Sequence, residues 1–402
     1  MRLRVNYYIG TIALRLLSSR IFIFASSLLL SVLTTELFLQ IFDEYQDGPH
    51  QIFCEYHPLL GWQKIPNFKG LHVGPQDVYR IYESINSKGL RGPEYTYQKN
   101  NNEIRLVALG DSFTEGYTVD FSEVFSQVLK DKLNEISSSQ PVEVINAGTG
   151  GYSTDQELLW FQTEGKQYNP DITLLMFTNN DILFNNETHY WRGFKPKYEI
   201  KGESLVLTNT PVPKLEQKSS TKSISLFERS ILISRFKTLL VKYHFITPQS
   251  DKAVRIKEKP LSLPDYKRLS EWSGATEQEK TEALVVTAAL LKELKKEAKS
   301  ISSRLIVFII PEKKEPTLPS IIMRICQEHQ IECIDPTRVF EMREKEFAKI
   351  GEKIDFNPYD FHWNKNGHQI AAEVLFNYIK ENNILATPPD SKNDTVPLAK
   401  SR

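Results

Sequence analysis

Residues Ile104 to Gly116 read IRLVALGDSFTEG, a near-continuous apolar run that stops on Gly-Asp-Ser. A short run without polar alternation is the pattern of a strand covered on both faces. Four others resemble it: Val142 to Ile145 (VEVI), Ile172 to Phe177 (ITLLMF), Leu305 to Ile310 (LIVFII) and Ile331 to Ile334 (IECI). Helical patterns separate most of them. This alternation predicts an α/β fold, a three-layer α/β/α sandwich around a parallel central sheet.

The helices announce their starts. From Ser122 to Ile136, Val124, Phe125, Val128, Leu129, Leu133 and Ile136 fall on one stripe. Ser153 with Gln156, and Thr154 with Glu157, fit a capping box ahead of a helix that Gly165 closes, and Thr276 with Glu279 opens a long helix through Ser300. His368 to Lys380 is expected to be the last helix.

Around this core the chain divides into further segments. Residues 43–100, with HPLLGWQKIPN and INSKGLRGPEY, form an irregular or β-containing preface. The domain proper is expected over 101–385, interrupted by an insertion at about 183–273. Inside the insertion Tyr198 to Thr208 reads as a hairpin turning at Lys201-Gly202. Ile224 to Tyr243 is an apolar, basic helical pattern that fits a cap over an active site, a helix against a bilayer, or one packed on the sandwich. The tail, 386–402, has the composition of a disordered segment.

Ile21 to Phe42 reads IFIFASSLLLSVLTTELFLQIF, with Glu36 as its one formal charge. A membrane-spanning helix takes about 20 residues. Arg2, Arg4, Arg15 and Arg20 precede the run and Asp43, Glu44 and Asp47 follow it, so residues 1–20 are expected in the cytoplasm and the chain beyond 43 outside it. The run is longer than a signal-peptide core and no A-x-A-like cleavage site follows, which favours an uncleaved anchor. Glu36 reads as a polar residue that reaches the outer interface.

Composition removes other classes. The 402 residues are 40% apolar and 25% charged, which excludes a disordered or fibrous chain. Fifty Lys and Arg balance fifty Asp and Glu, so no basic excess marks a nucleic-acid partner. The cysteines, Cys54, Cys326 and Cys333, fit neither a zinc site nor a CxxC pair, and free thiols are expected over a single Cys326–Cys333 bridge. The histidines show no metal-ligand spacing, and neither GxGxxG nor a P-loop is present, so neither metal nor cofactor is expected. The sequence assigns no oligomeric state.

The chemistry gathers at the carboxyl ends of the strands, where open parallel sheets bind ligands. Gly110-Asp111-Ser112 follows the first strand, Asn146-Ala147-Gly148-Thr149-Gly150-Gly151 the second and Thr178-Asn179-Asn180-Asp181 the third. Asp360-Phe361-His362-Trp363 lies just ahead of the last helix. This ordered set resembles the SGNH hydrolases, or GDSL superfamily, over about Ile104 to Ile379 outside the insertion.

The resemblance implies a flavodoxin-like sandwich in which Ser112 is the nucleophile and His362 the general base. It also implies an oxyanion hole formed by the Ser112 N–H, the Gly151 N–H and the Asn180 side chain. Two departures stand out. The family's usual acid lies three residues before the histidine, but Tyr359 occupies that place here, so Asp360 is expected as the third member, with Asp355 second. This D-x-H-W spacing is similar to that of polysaccharide O-acetyltransferase SGNH domains. The glycines usual before Asn180 are replaced by Thr178 and Asn179.

The implied activity is a membrane-anchored serine esterase or acyl-transfer enzyme outside the cytoplasm. Its substrates would be acylated carbohydrate or lipid esters, with O-acetyl polysaccharide the leading expectation. The competing class is a non-catalytic SGNH-fold binding component of an envelope polysaccharide assembly.

Overall fold

The computed structural model describes residues 2–43, 46–48, 53–137, 140–190, 192–202, 204–215, 230–243, 275–311 and 317–386. The chain forms two compact units, residues 1–45 with 219–247, and 46–218 with 248–402.

In the first unit one helix runs from Arg2 to Phe42, so the segment ahead of Ile21 is continuous with the apolar run. Arg20–Phe42 is long and apolar enough to cross a membrane. A second helix, Ile231–Lys242, is the described part of the apolar, basic stretch read from 224 to 243. Its predicted first turns, 224–229, lie outside the described residues, as does the tail from 387.

The second unit opens with the preface, which is β-rich. Strand β1 is Gln46–Gly48, β2 Cys54–His57, β3 Gly61–Lys64, β4 Lys69–Val73 and β5 Arg80–Ser84. β2 and β3 pair as a hairpin, while β4 pairs antiparallel with β5 and parallel with β1. Strands β6 (Ile104–Gly110), β7 (Val142–Asn146) and β8 (Ile172–Phe177) then enter the central sheet. The insertion contributes β9 (His189–Tyr190), β10 (Gly193–Phe194), β11 (Lys197–Lys201) and β12 (Ser204–Thr208) as two hairpins, the second turning at Gly202 with φ +64°. β13 (Arg304–Ile309) and β14 (Glu332–Ile334) complete a five-stranded sheet in the order β14–β13–β8–β6–β7, and its adjacent strands pair in parallel.

Alternate residues of the buried strands feed two cores, which makes the sandwich three-layered. On one face Val107, Leu109, Leu175, Phe177 and Val307 pack with the helices Thr154–Thr163, Glu277–Lys299 and Leu318–Glu328, and with Leu60, Trp62, Leu90 and Tyr95 of the preface. On the other, Leu106, Ala108, Leu174, Met176 and Phe308 pack with Phe125–Ile136, Thr337–Lys349 and Lys365–Glu381. The preface is therefore part of the core.

The helix starts differ in instructive ways. The Thr276–Glu279 capping box forms, Glu279 N donating to Thr276 Oγ1 at 3.2 Å and Thr276 N to Glu279 Oε2 at 2.7 Å. The box expected at Ser153 does not, because tertiary partners hold the side chains: Gln156 donates to Leu60 O at 2.7 Å and Asp155 pairs with buried Lys195. Gly165 opens a 3-10 turn instead of closing the helix. Val124 is extended, so the helix expected from Ser122 starts at Phe125. The last helix starts at Lys365, ahead of the expected His368, because the Asn364 side chain accepts from Asn366 N and Gly367 N at 2.8 and 3.3 Å. Cys54, Cys326 and Cys333 are free thiols.

Candidate active site

β6 ends on Gly110, whose φ of +154° and contact with Thr114 leave no room for a Cβ, since one placed there would lie 1.9 Å from Thr114 Oγ1. The chain turns sharply there into the short helix Ser112–Glu115, capped by Asp111, whose carboxylate accepts from Phe113 N at 2.9 Å. Ser112 is thus presented at the sheet's carboxyl edge on a strained turn.

The loop before the last helix brings its partners. Ser112 Oγ lies 2.7 Å from His362 Nε2, and His362 Nδ1 lies 2.6 Å from Asp360 Oδ1, which also accepts from His362 N at 3.0 Å. The unbroken chain Ser112–His362–Asp360 spans 250 residues of sequence between the serine and the histidine. With Asp360 on Nδ1, that nitrogen carries the proton and Nε2 is free to accept the serine's. Asp355, the second candidate, is not in this chain; it accepts from Asn357 N at 3.1 Å, and its backbone bridges Trp363.

Two tyrosines unforeseen in the sequence complete the surroundings. Tyr79 Oη, from the preface, donates to Asp360 Oδ2 at 2.7 Å, and Tyr117 Oη sits 3.1 Å from His362 Nδ1. Burial alone would raise the Asp360 carboxyl, but the hydrogen bonds and charge of His362, with the Tyr79 hydroxyl, outweigh it and hold the group well below the usual carboxylate range. Burial pushes Asp111 up to about 6 despite the Phe113 N–H, the charge of His362 and the Thr178 hydroxyl. His368, buried on the last helix and facing Phe125 N, is pushed down to about 3 by burial, helped by the charges of Arg91 and His362.

The glycine loop after β7 is held from several sides. Gly151 has φ +76°, a conformation that favours glycine. Trp62 Nε1 donates to Gly150 O at 3.0 Å, Gly150 N donates to Glu115 Oε2 at 2.7 Å, and the ammonium of wholly buried Lys64 donates to Gly148 O. Gly150 O and Gly151 N–H belong to one peptide plane, so fixing the oxygen fixes the direction of the N–H.

Asn180 lies at the start of the helix Asn179–Phe184, where Thr178 and Asp181 form a capping box. Thr178 Oγ1 donates to Asn180 Oδ1, and Asn180 Nδ2 donates to Tyr190 Oη of the insertion at 3.1 Å. The replacement of the usual glycines is thus accommodated by a cap that fixes the Asn180 amide. Among the described residues, no group of three or more His, Cys, Asp or Glu side chains is gathered for a metal ion.

Residues 108–206 match the GDSL-like lipase/acylhydrolase family. Solved structures to which this chain is similar include a lipase/acylhydrolase from Enterococcus faecalis, 13% identical over 69% of this chain and 96% of that one, with a TM-score of 0.36. A catalytic mutant of the acetylxylan esterase Axe2 from Geobacillus stearothermophilus is also 13% identical, over 71% and 96%, with a TM-score of 0.37. LAE5, an alpha/beta hydrolase from the metagenome of Lake Arreo, is 12% identical over 73% and 100%, with a TM-score of 0.35. No curated protein matches the chain.

Proposed function

We propose that this chain is a membrane-anchored SGNH-type serine esterase whose domain works outside the cytoplasm on O-acyl esters, O-acetyl groups of polysaccharide foremost. The observation that carries the reading is the Ser112–His362–Asp360 chain at 2.7 and 2.6 Å. A serine hydroxyl attacks an ester only when a base takes its proton, and His362 Nε2 is within reach to do so. Asp360 holds the imidazole in the tautomer that accepts at Nε2 and stabilises the imidazolium formed on attack.

The tetrahedral intermediate places a negative charge on the former carbonyl oxygen. Ser112 N–H, Gly151 N–H and the Asn180 amide receive it, each such donor lowering the barrier by about 3 kcal/mol. Collapse expels the alcohol, which takes the proton from His362, and leaves the acyl group on Ser112 Oγ. Water or a second hydroxyl, deprotonated in turn by His362, then releases it. Anchoring is supported by the apolar window Arg20–Phe42 together with the arginines before it and the acids after it. The anchor and the D-x-H-W spacing are what support the polysaccharide target.

The test is intact-mass analysis after exposure to a fluorophosphonate. A single adduct on Ser112, absent in Ser112→Ala and His362→Ala, is expected. A folded wild-type protein that takes no adduct would overturn the serine-esterase reading, and release of long-chain acids without acetate would replace the polysaccharide target with a lipid ester.

A further inference from the structure

The helix Ile231–Lys242 is built inside out for water. Ser230, Ser234 and Thr238 recur at successive four-residue steps along one side of it; Ser230 at the head of that side bonds Glu36 of Arg2–Phe42, and Thr238 farther along it is buried. The opposite side presents Ile233, Phe236, Leu239 and Tyr243, all exposed, with Phe236 at 59% and Leu239 at 53%. A helix on a soluble domain has the reverse arrangement, its apolar stripe turned inward. Small polar residues at i, i+4 between two helices, with apolar residues outward, is the arrangement of helices packed in lipid.

Glu36 gives the second observation. Its carboxylate accepts from Ser230 Oγ at 2.8 Å, Ile231 N at 2.9 Å and Leu232 N at 3.0 Å, so a charge inside the apolar window closes off the amino terminus of the neighbouring helix. Those N–H groups have no intrahelical acceptor, and in hydrocarbon each would be costly to leave open. Farther out, Arg235 Nε meets Asp43 Oδ2 at 2.6 Å, with both side chains largely buried. The polar groups of the pair are therefore matched with one another while its apolar surface continues that of the anchor, where Leu33, Leu37 and Phe38 are also exposed.

From this we infer that Ile231–Lys242 is a second membrane-embedded element, inserted beside the anchor into the outer leaflet and held there by Glu36. The inference rests on the anchor reading above. Glu36 lies inside the window and Asp43 just beyond it, and the second helix meets them in the same order, so it starts within the leaflet and runs outward. Lys237 lies at the margin of the exposed face, where its long stem reaches the headgroups. The partner of this surface is phospholipid acyl chain. On this account Glu36, expected from the sequence only to reach the interface, is a helix cap across two segments far apart in the chain.

The test uses the full chain, with Cys54, Cys326 and Cys333 changed to Ala, reconstituted in vesicles of phosphatidylcholine and phosphatidylglycerol. Single cysteines replacing Phe236, Leu239, Leu33 or Glu277 carry an environment-sensitive NBD dye. Blue-shifted emission quenched by doxyl-labelled lipid is expected at positions 236, 239 and 33, and water-like, unquenched emission at 277. Adding Glu36→Leu, which keeps the anchor apolar, should bring 236 to the behaviour of 277 while 33 stays in lipid. Water-like emission at 236 and 239 with 33 in lipid overturns this inference alone, whereas water-like emission at 33 overturns the anchor itself. Blue-shifted emission at 236 that doxyl lipid does not quench, with dimers captured by cross-linking, would show that a second copy covers the face and would also overturn it.

Discussion

Tyr79 Oη donates a 2.7 Å hydrogen bond to Asp360 Oδ2, while Oδ1 of the same carboxylate serves the imidazole and backbone of His362. The carboxylate is thereby fixed from both sides, one from the preface and one from its own loop. A hydrogen bond to a charged group contributes about 1.5 to 3 kcal/mol. Tyr79→Phe is expected to lower kcat about tenfold or more with KM little changed, because the lost contact orients the base and does not touch substrate. Asp360→Asn, which favours the wrong histidine tautomer, should cost about 10³- to 10⁴-fold. Steady-state kinetics on a chromogenic acetyl ester separates the two, and a Tyr79→Phe enzyme as impaired as Asp360→Asn would rule out a purely orienting role.

Asp111 makes an opposite demand on pH. Its carboxyl is raised to about 6, above an unfolded value of about 3.9, so the folded state favours the protonated form. The sign follows from linkage: this contribution to stability is fully present below the unfolded value and is lost as pH rises through the folded one. At pH 8 the ionised, buried Asp111 should therefore cost about 3 kcal/mol. Asp111→Asn keeps an oxygen for Phe113 N and should melt higher than wild type at pH 8, with the advantage shrinking toward pH 5. Calorimetry at the two pH values checks this, and an equal shift at both would show that charge is not the cause.

The sheet and the residues now gathered at Ser112 were legible because both depend on local pattern. The strand runs at Ile104, Val142, Ile172 and Leu305 are apolar on both faces, and Ser112 and His362 sit where strand ends and a loop before a helix bring them together. Tyr79, Trp62 and Lys64 were not legible. Their roles are set by hydrogen bonds to partners distant in sequence, and a tyrosine in a Gly- and Pro-rich stretch has no period that marks it. The box at Ser153 failed for the same reason, since Gln156 and Asp155 are claimed by Leu60 and Lys195.

The proposed oxyanion hole offers a graded series. Asn180→Ala removes one donor and should lower kcat about 10²- to 10³-fold with little change in KM. Trp62→Phe leaves the Gly151 N–H in place but releases the Gly150 oxygen that orients its peptide plane, so a smaller loss of kcat is expected. Gly151→Ala forces a side chain onto φ +76° and should impair both folding and rate. Thermal melting beside kinetics distinguishes them: Asn180→Ala should stay near the wild-type melting temperature, and a large drop there would move Asn180 from catalysis to structure.

Where the chain is cut decides whether the preface is an accessory or part of the fold. Arg91, fully buried, donates to Glu115 O at 3.0 Å and Val119 O at 2.7 Å and meets Glu83 at 3.2 Å, and Lys64, also fully buried, reaches the glycine loop and lies 3.9 Å from Glu115. Removing residues 1–45 takes away none of these partners. Removing residues 1–100 takes away Lys64, Glu83 and Arg91 together, and with Lys64 the ammonium that lies 3.9 Å from the buried Glu115 carboxylate; breaking a buried pair of this kind typically costs about 3 to 5 kcal/mol. It also strips Leu60, Trp62, Leu90 and Tyr95 from one core. A chain starting at Gln46 is therefore expected to fold and take the fluorophosphonate on Ser112, while one starting at Asn101 is expected in inclusion bodies. A soluble, cooperatively melting 101–402 protein that labels at the wild-type rate would show that the preface neither completes the core nor supports the site.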